Sequence, residues 1–262
     1  MKNIVLFTKS YKGDLDRCVE LSKSIKKHNK DNIPFYISVP KEDIDLFKAN
    51  LPHYTELIED EKITSLNQGW VGQQFVKSLF YKLQISRYYV CIDSDAYFFN
   101  DFFTTDFLYE EDIPYLIMHE RETLYEFICR YEEELNLPNI REGHKKDYES
   151  IRKILNPPLG RKGKFYHYGI SPYIWDTKIW ERLDNDYQIH NLFQKHPNEL
   201  KWYGEAVLSY KTPFMPSSPL FKEFHYSSQY SFYKQLGFEE KHLKKQYLGV
   251  VMQSNWDSPL KF

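Results

Sequence analysis

Residues 88–92 (YYVCI) form a continuous apolar run set between Arg87 and Asp93. A strand with no polar alternation must be covered on both faces, as in the centre of a parallel sheet. Residues 3–8 (NIVLFT), 33–39 (IPFYISV) and 54–58 read as further strands. A helix runs from an N-cap at Asp14 to about His28, with Leu15, Cys18, Ser22 and Ile25 on one face. A short helix falls near 42–49, after Pro40, and another over 73–86 with Phe75, Leu79 and Leu83 along one side. This alternation predicts an α/β fold with a mostly parallel central sheet, right-handed crossovers and flanking helices. Ligands sit at the carboxyl ends of such strands, so residues 8–14 and 93–95 should converge on a site.

The second half is less regular. Residues 114–119 and 169–175 read as strands, 121–135 and 145–155 as helices, and 156–164 (NPPLGRKGK) as a loop. No repeat and no Pro/Gly/Ser-rich linker divides the chain, so a single domain is expected over 1–262. Lys and Arg total 35 against 37 Asp and Glu, a net charge of -2 that argues against a general nucleic-acid binder. Cys18, Cys91 and Cys129 are sparse and lack a CxxC, which excludes a disulfide scaffold or zinc finger and fits a reducing cytoplasm. The opening apolar run is too brief for a signal peptide, and no window reaches the ~18 apolar residues of a membrane span. The expectation is a cytoplasmic protein. Aromatic residues make up 18% of the chain. Their flat faces suit stacking on sugars, although biased genomic composition accounts for the same figure.

Asp93-Ser94-Asp95 is the central motif, and its address matters more than its spacing. Asp-x-Asp recurs at Asp14/Asp16, Asp43/Asp45 and Asp184/Asp186, where helix starts and polar turns explain it. Only Asp93/Asp95 follows a wholly apolar strand. Two carboxylates so close repel unless a cation joins them. Hard divalent ions favour oxygen ligands, and Mg²⁺ typically takes one or two carboxylates plus phosphate oxygens. The chemistry indicated is metal-assisted handling of a diphosphate.

The run QQFVKSLFYKLQISRYYVCIDSDAYFF, preceded by NIVLFTKSYKGDLDRC, resembles nucleotide-sugar-dependent glycosyltransferases of the GT-A fold, in particular a group of small bacterial sugar transferases. The likeness continues through an aromatic-Gly-x-Ser-Pro segment at 168–172, Trp-Tyr-Gly-Glu at 202–205 and a late His225. It implies a half over about 1–110 that binds the nucleotide sugar and a half over about 111–262 that binds the acceptor. Thr8, Lys9, Ser10 and Tyr11 would hold the nucleoside, with Tyr11 stacking on the base. Gln74 and Lys77 would face phosphate or sugar from one side of a helix. Asp93 and Ser94 would contact the donor, and Asp93, Asp95 and His225 would hold Mn²⁺ (or Mg²⁺), the imidazole favouring Mn²⁺. His167, Ser171 and Trp202 would shape the acceptor side, and Glu205 at the first turn of a helix would act as general base. The donor implied is a UDP-sugar. The acceptor implied is a glycan or lipid-linked hydroxyl, with peripheral contact at the inner face of the membrane during surface-polysaccharide assembly. Two other readings stay open at this point. One is a phosphatase with an Asp nucleophile, although Tyr97 stands where such enzymes carry Thr or Val. The other is a non-catalytic glycan-binding protein.

Overall fold

The computed structural model describes residues 1–110, 112–119, 140–157 and 160–262. The expected helix over 121–135, and Cys129 within it, lie outside the described residues. In chain order the elements are β1 (Lys2–Lys9), α1 (Leu15–His28), β2 (Phe35–Val39), α2 (Ile44–Asn50), β3 (Thr55–Glu59), α3 (Gly69–Leu79) and β4 (Ser86–Cys91). Next come β5 (Ala96–Phe98), β6 (Leu108–Tyr109), β7 (Ile113–Ile117), α4 (Ile140–Leu155), β8 (Tyr173–Asp176), α5 (Thr177–Tyr187) and α6 (Ile189–Lys195). The chain continues through α7 (Glu199–Tyr210), β9 (Met215–Ser217), β10 (Phe221–Phe224), α8 (Ser227–Gln235), α9 (Glu240–Leu243) and β11 (Gly249–Met252).

The central sheet has the order β3-β2-β1-β4-β8. Its first four strands are parallel, and β8 closes the edge antiparallel to β4. The apolar runs are explained by the two faces they serve. Val5, Phe7, Tyr89 and Cys91 pack into one layer, while Ile4, Leu6, Tyr88, Val90 and Ile92 pack into the other. Helix α1 buries Cys18, Leu21, Ser22, Ile25 and His28, a 3.6-residue stripe laid on the second layer. The helix expected over 73–86 starts earlier, at Gly69, and tightens into a 3-10 turn over Phe80–Leu83. Gln84 in the left-handed region (φ 51°) ends it. Phe80 stacks on Phe7 with ring centroids 4.1 Å apart, which ties that turn to the sheet.

A smaller sheet, β10-β11-β5, sets β10 parallel to β11 and β5 antiparallel to it. A third joins β6, β7 and β9. Residues 92–95 are thus the corner between the carboxyl end of β4 and the amino end of β5. The carboxyl ends of β10 and β11 meet this same corner, because Val251 pairs with Ala96 and Gly249 with Phe98. Four strand ends and the start of β8 (Tyr173, opposite Cys91) therefore open on one side of the molecule. Among the described residues no helix is long and apolar enough to cross a membrane.

Candidate functional site

That side holds a cavity of about 570 Å³. Its floor is the Asp93–Asp95 turn. The backbone N–H of Asp93 donates to Ser171 Oγ at 3.0 Å, so Ser171, itself buried, fixes the turn from behind without lining the cavity. Asp93 Oδ1 accepts from Lys77 Nζ at 2.6 Å and Oδ2 from the Tyr173 hydroxyl at 3.2 Å. Asp95 Oδ2 accepts from the Ser254 N–H at 2.9 Å, whereas Asp95 Oδ1 is buried with no partner. Burial, followed by the neighbouring charges of Asp93 and Asp14, pushes the Asp95 carboxyl up to about 7. The Ser254 N–H and the Arg17 charge oppose this rise without cancelling it.

Asp14 is the third carboxylate of this corner. It precedes α1 but makes no side-chain capping bond; its Oδ2 accepts from Ser94 Oγ at 3.2 Å across the cavity floor. Burial raises its carboxyl as well. Asp14 thus serves as both the residue before α1 and a carboxylate of the cavity, where the expected convergence of residues 8–14 with 93–95 is seen.

The expected metal triad is not assembled. His225 lines the cavity, but its Nδ1 lies 3.5 Å from Glu223 Oε1. Both Asp93 oxygens are engaged. Among the described residues no three His, Cys, Asp or Glu side chains are grouped closely enough to ligate one ion. The orphaned Asp95 oxygen, with Asp14 and Asp93 beside it, could contribute to holding a hard divalent ion that takes its remaining oxygen ligands from elsewhere.

Strand alternation sorts the first loop. Lys9 and Tyr11 reach the cavity, while Thr8 and Ser10 are buried and do not line it, which removes them as direct contacts. Lys9 is committed from below: its Nζ lies 2.8 Å from Asp60 Oδ2 and donates to the Ser10 carbonyl at 2.5 Å. Tyr11 is about half exposed. On α3 it is Trp70, Gln73 and Lys77 that line the cavity, not Gln74. Gln74 is buried, and its Oε1 accepts the Glu199 N–H at 3.3 Å.

The largest correction concerns Glu205. It is completely buried and does not line the cavity. Its carboxylate accepts from Arg152 (Nε 2.9 Å, Nη2 3.1 Å), Arg161 (Nε 2.9 Å, Nη2 2.9 Å) and the Tyr168 hydroxyl (2.8 Å). Burial alone would raise its proton affinity, but the bonds from Arg161 and Arg152 prevail and hold the carboxyl below the usual range. A carboxylate so satisfied is a structural anchor, not a base. Trp202 is likewise interior, its Nε1 donating to the His196 carbonyl at 2.8 Å, and it forms no acceptor wall. His167 does line the cavity, and its Nδ1 accepts the Gly169 N–H at 3.1 Å.

The carboxylate of α7 that does face the cavity is Glu199. Helix α7 begins there, after Asn198, whose side chain accepts the Lys201 N–H as a cap. Residues 199 and 205 are six apart, or about 120° around the helix, so one faces the cavity while the other faces the core. Glu199 Oε1 lies 3.6 Å from Lys77 Nζ, and burial outweighs that lysine in raising the Glu199 carboxyl. Burial would deprotonate Lys77, but Asp93 and Glu199 overcome it and keep the ammonium charged. The signal for Glu199 was available: Pro197-Asn198 before a helix-forming run marks a helix start.

The fold and this cavity define a mixed α/β protein, compatible with a Rossmann-like fold, with an acidic cleft at the carboxyl ends of its strands. The chain belongs to the family described as "Family of unknown function (DUF6492)", which matches residues 3–253. No curated protein matches the chain.

Proposed function

We propose that this protein is a metal-dependent glycosyltransferase on a GT-A variant of the α/β fold. It would move a sugar from a nucleoside-diphosphate sugar, UDP-linked by preference, to a hydroxyl of a glycan or lipid-linked acceptor. The observation that carries this reading is the partnerless, buried Asp95 oxygen on the floor of a 570 Å³ cavity, beside Asp93 and Asp14. Mn²⁺ or Mg²⁺ held by Asp95 would supply Lewis-acid stabilisation of the departing diphosphate. Lys77, kept protonated by its two carboxylates, offers a fixed positive charge to the donor. Tyr11 presents a ring to the base. Glu199, with its raised proton affinity, takes the place first given to Glu205: it would accept the acceptor hydroxyl's proton as the new bond forms, in a displacement with inversion.

The test is UDP release from a panel of UDP-sugars, with Mn²⁺ and with chelator, in wild type and Asp95→Asn. Mn²⁺-dependent release, absent in a folded Asp95→Asn variant, is the expected result. Full turnover by that variant would falsify the reading, and release of phosphate from monoesters instead would favour the phosphatase.

A further inference from the structure

Trp70 is 63% exposed, the most exposed of the chain's five tryptophans, and it lies on the cavity wall. Its indole makes no ring contact or side-chain hydrogen bond among the described residues. A single exposed ring is ordinary on a protein surface; what distinguishes Trp70 is its place on the cavity wall. Its position is built with care. Gly69 before it takes φ +66°, and a side chain at Gly72 would meet the Asn67 backbone at 2.3 Å, so the turn into α3 is pressed against the 67–68 loop. Asn67 Nδ2 donates to Glu61 Oε1 at 2.8 Å, and the Gly72 N–H donates to the Gln68 carbonyl at 3.0 Å. Positions 70, 73 and 77 share one face of α3, and all three side chains reach the cavity. Along the helix axis, Trp70 stands about 10 Å from Lys77 and its Asp93 contact.

The charges of the cavity are divided unevenly. Among the described residues Lys9 and Lys77 are its only lysines and it has no arginine; Lys9 is paired with Asp60 beneath the cavity and Lys77 with Asp93 on its floor. The Gln73 side-chain amide, one turn from Trp70, has no protein partner among the described residues. Asn198 and Leu200 join the same wall, because the Glu199 between them is bonded to Gln74 of α3. A flat apolar ring, with the Gln73 and Asn198 amides and the Glu199 carboxylate along the same wall, suits a ligand with one apolar face and many hydroxyls.

We propose that Trp70 is the stacking platform, and Gln73 the adjacent hydroxyl contact, of a pyranose-binding subsite at the α3 end of the cavity. Calling that saccharide the acceptor rests on the transferase reading; the stacking itself does not.

Acrylamide quenching reads this directly. Trp175, Trp180 and Trp202 are buried, and Trp256 is half-buried with its Nε1 donating to the Phe224 carbonyl, so quenching of the intact protein reports chiefly on Trp70. The probes are lactose, the methyl glycosides of glucose, galactose and N-acetylglucosamine, and separately UMP and UDP with Mn²⁺. At least one glycoside should lower the quenching slope of wild type, and calorimetry should show its affinity falling about tenfold or more in Trp70→Ala with partial recovery in Trp70→Phe. Protection by UMP and by no glycoside would make the ring a base platform and overturn the proposal. So would protection by none of the probes. Asp95→Asn should keep the glycoside effect while losing Mn²⁺-dependent UDP binding. Glycoside protection in a wild type that binds no UDP would sink the transferase reading and leave the subsite standing.

Discussion

Glu205→Ala separates an anchoring carboxylate from a catalytic one. In the wild type, one fully buried carboxylate pairs with two guanidiniums, each donating to it through two N–H groups. Those arginines also hold the 160–164 segment: Arg152 donates to the carbonyls of Gly163 (2.9 Å) and Lys164 (2.5 Å), and Arg161 to that of Lys164 (3.1 Å). Removing the carboxylate leaves two cations facing each other with side-chain exposures of only 6% and 17%. Breaking a buried pair by deleting one partner costs about 3–5 kcal/mol. For a chain of this size each kcal/mol moves Tm by about 2–4 °C, so the expected fall is about 6–20 °C. Thermal and urea unfolding followed by circular dichroism at neutral pH measure it. A variant that unfolds at the wild-type temperature yet loses turnover would refute the anchoring argument and return Glu205 to catalysis.

The same carboxyl sets a pH dependence. Its folded-state proton affinity is depressed, so its stabilisation is present above the ordinary carboxylate range and is lost as pH falls through the depressed value; wild type and Glu205→Gln should converge in unfolding free energy in acid. Convergence at high pH instead would reverse the sign of the argument. Glu199→Gln should lower kcat by ~10²-fold with little change in donor KM, and an unchanged kcat would leave Glu199 only the task of holding Lys77. Gly204→Ala should destabilise by about 1–3 kcal/mol in urea titrations, because the new Cβ would lie 2.1 Å from the Tyr168 ring. Wild-type stability in that variant would mean the ring has room to move.

The parallel half of the fold was legible because each strand is a continuous apolar run covered on both faces and each helix carries a clear stripe. The corner at Asp93–Asp95 followed from the same logic, since its address is the end of a buried strand. The small sheet was harder. Strands β5, β10 and β11 are three or four residues long and come from distant parts of the chain, so no local period announces their pairing. The misassignment of Glu205 came from a helix boundary. Starting α7 near residue 205 rather than at Glu199 put the wrong carboxylate at the first turn. The bareness of Gly204, next to Glu205, makes room for the Tyr168 ring. Asp14 fell inside the 8–14 stretch expected at the site, but as the residue before a helix its side chain had two places to go, and sequence does not say that it turns towards Ser94.

The distance along the chain over which the acidic corner is stitched has a consequence for biosynthesis. Asp95 is held by the N–H groups of Met252 (to its carbonyl) and Ser254 (to its carboxylate), and Arg17 reaches the carbonyls of Met252 and Ser258. A growing polypeptide therefore carries its first helix and its acidic turn long before the segment that fastens them has left the ribosome. The bonds that fasten this corner can form only once residues 249–258 have been made, because the groups that hold Asp95 and Arg17 lie within them.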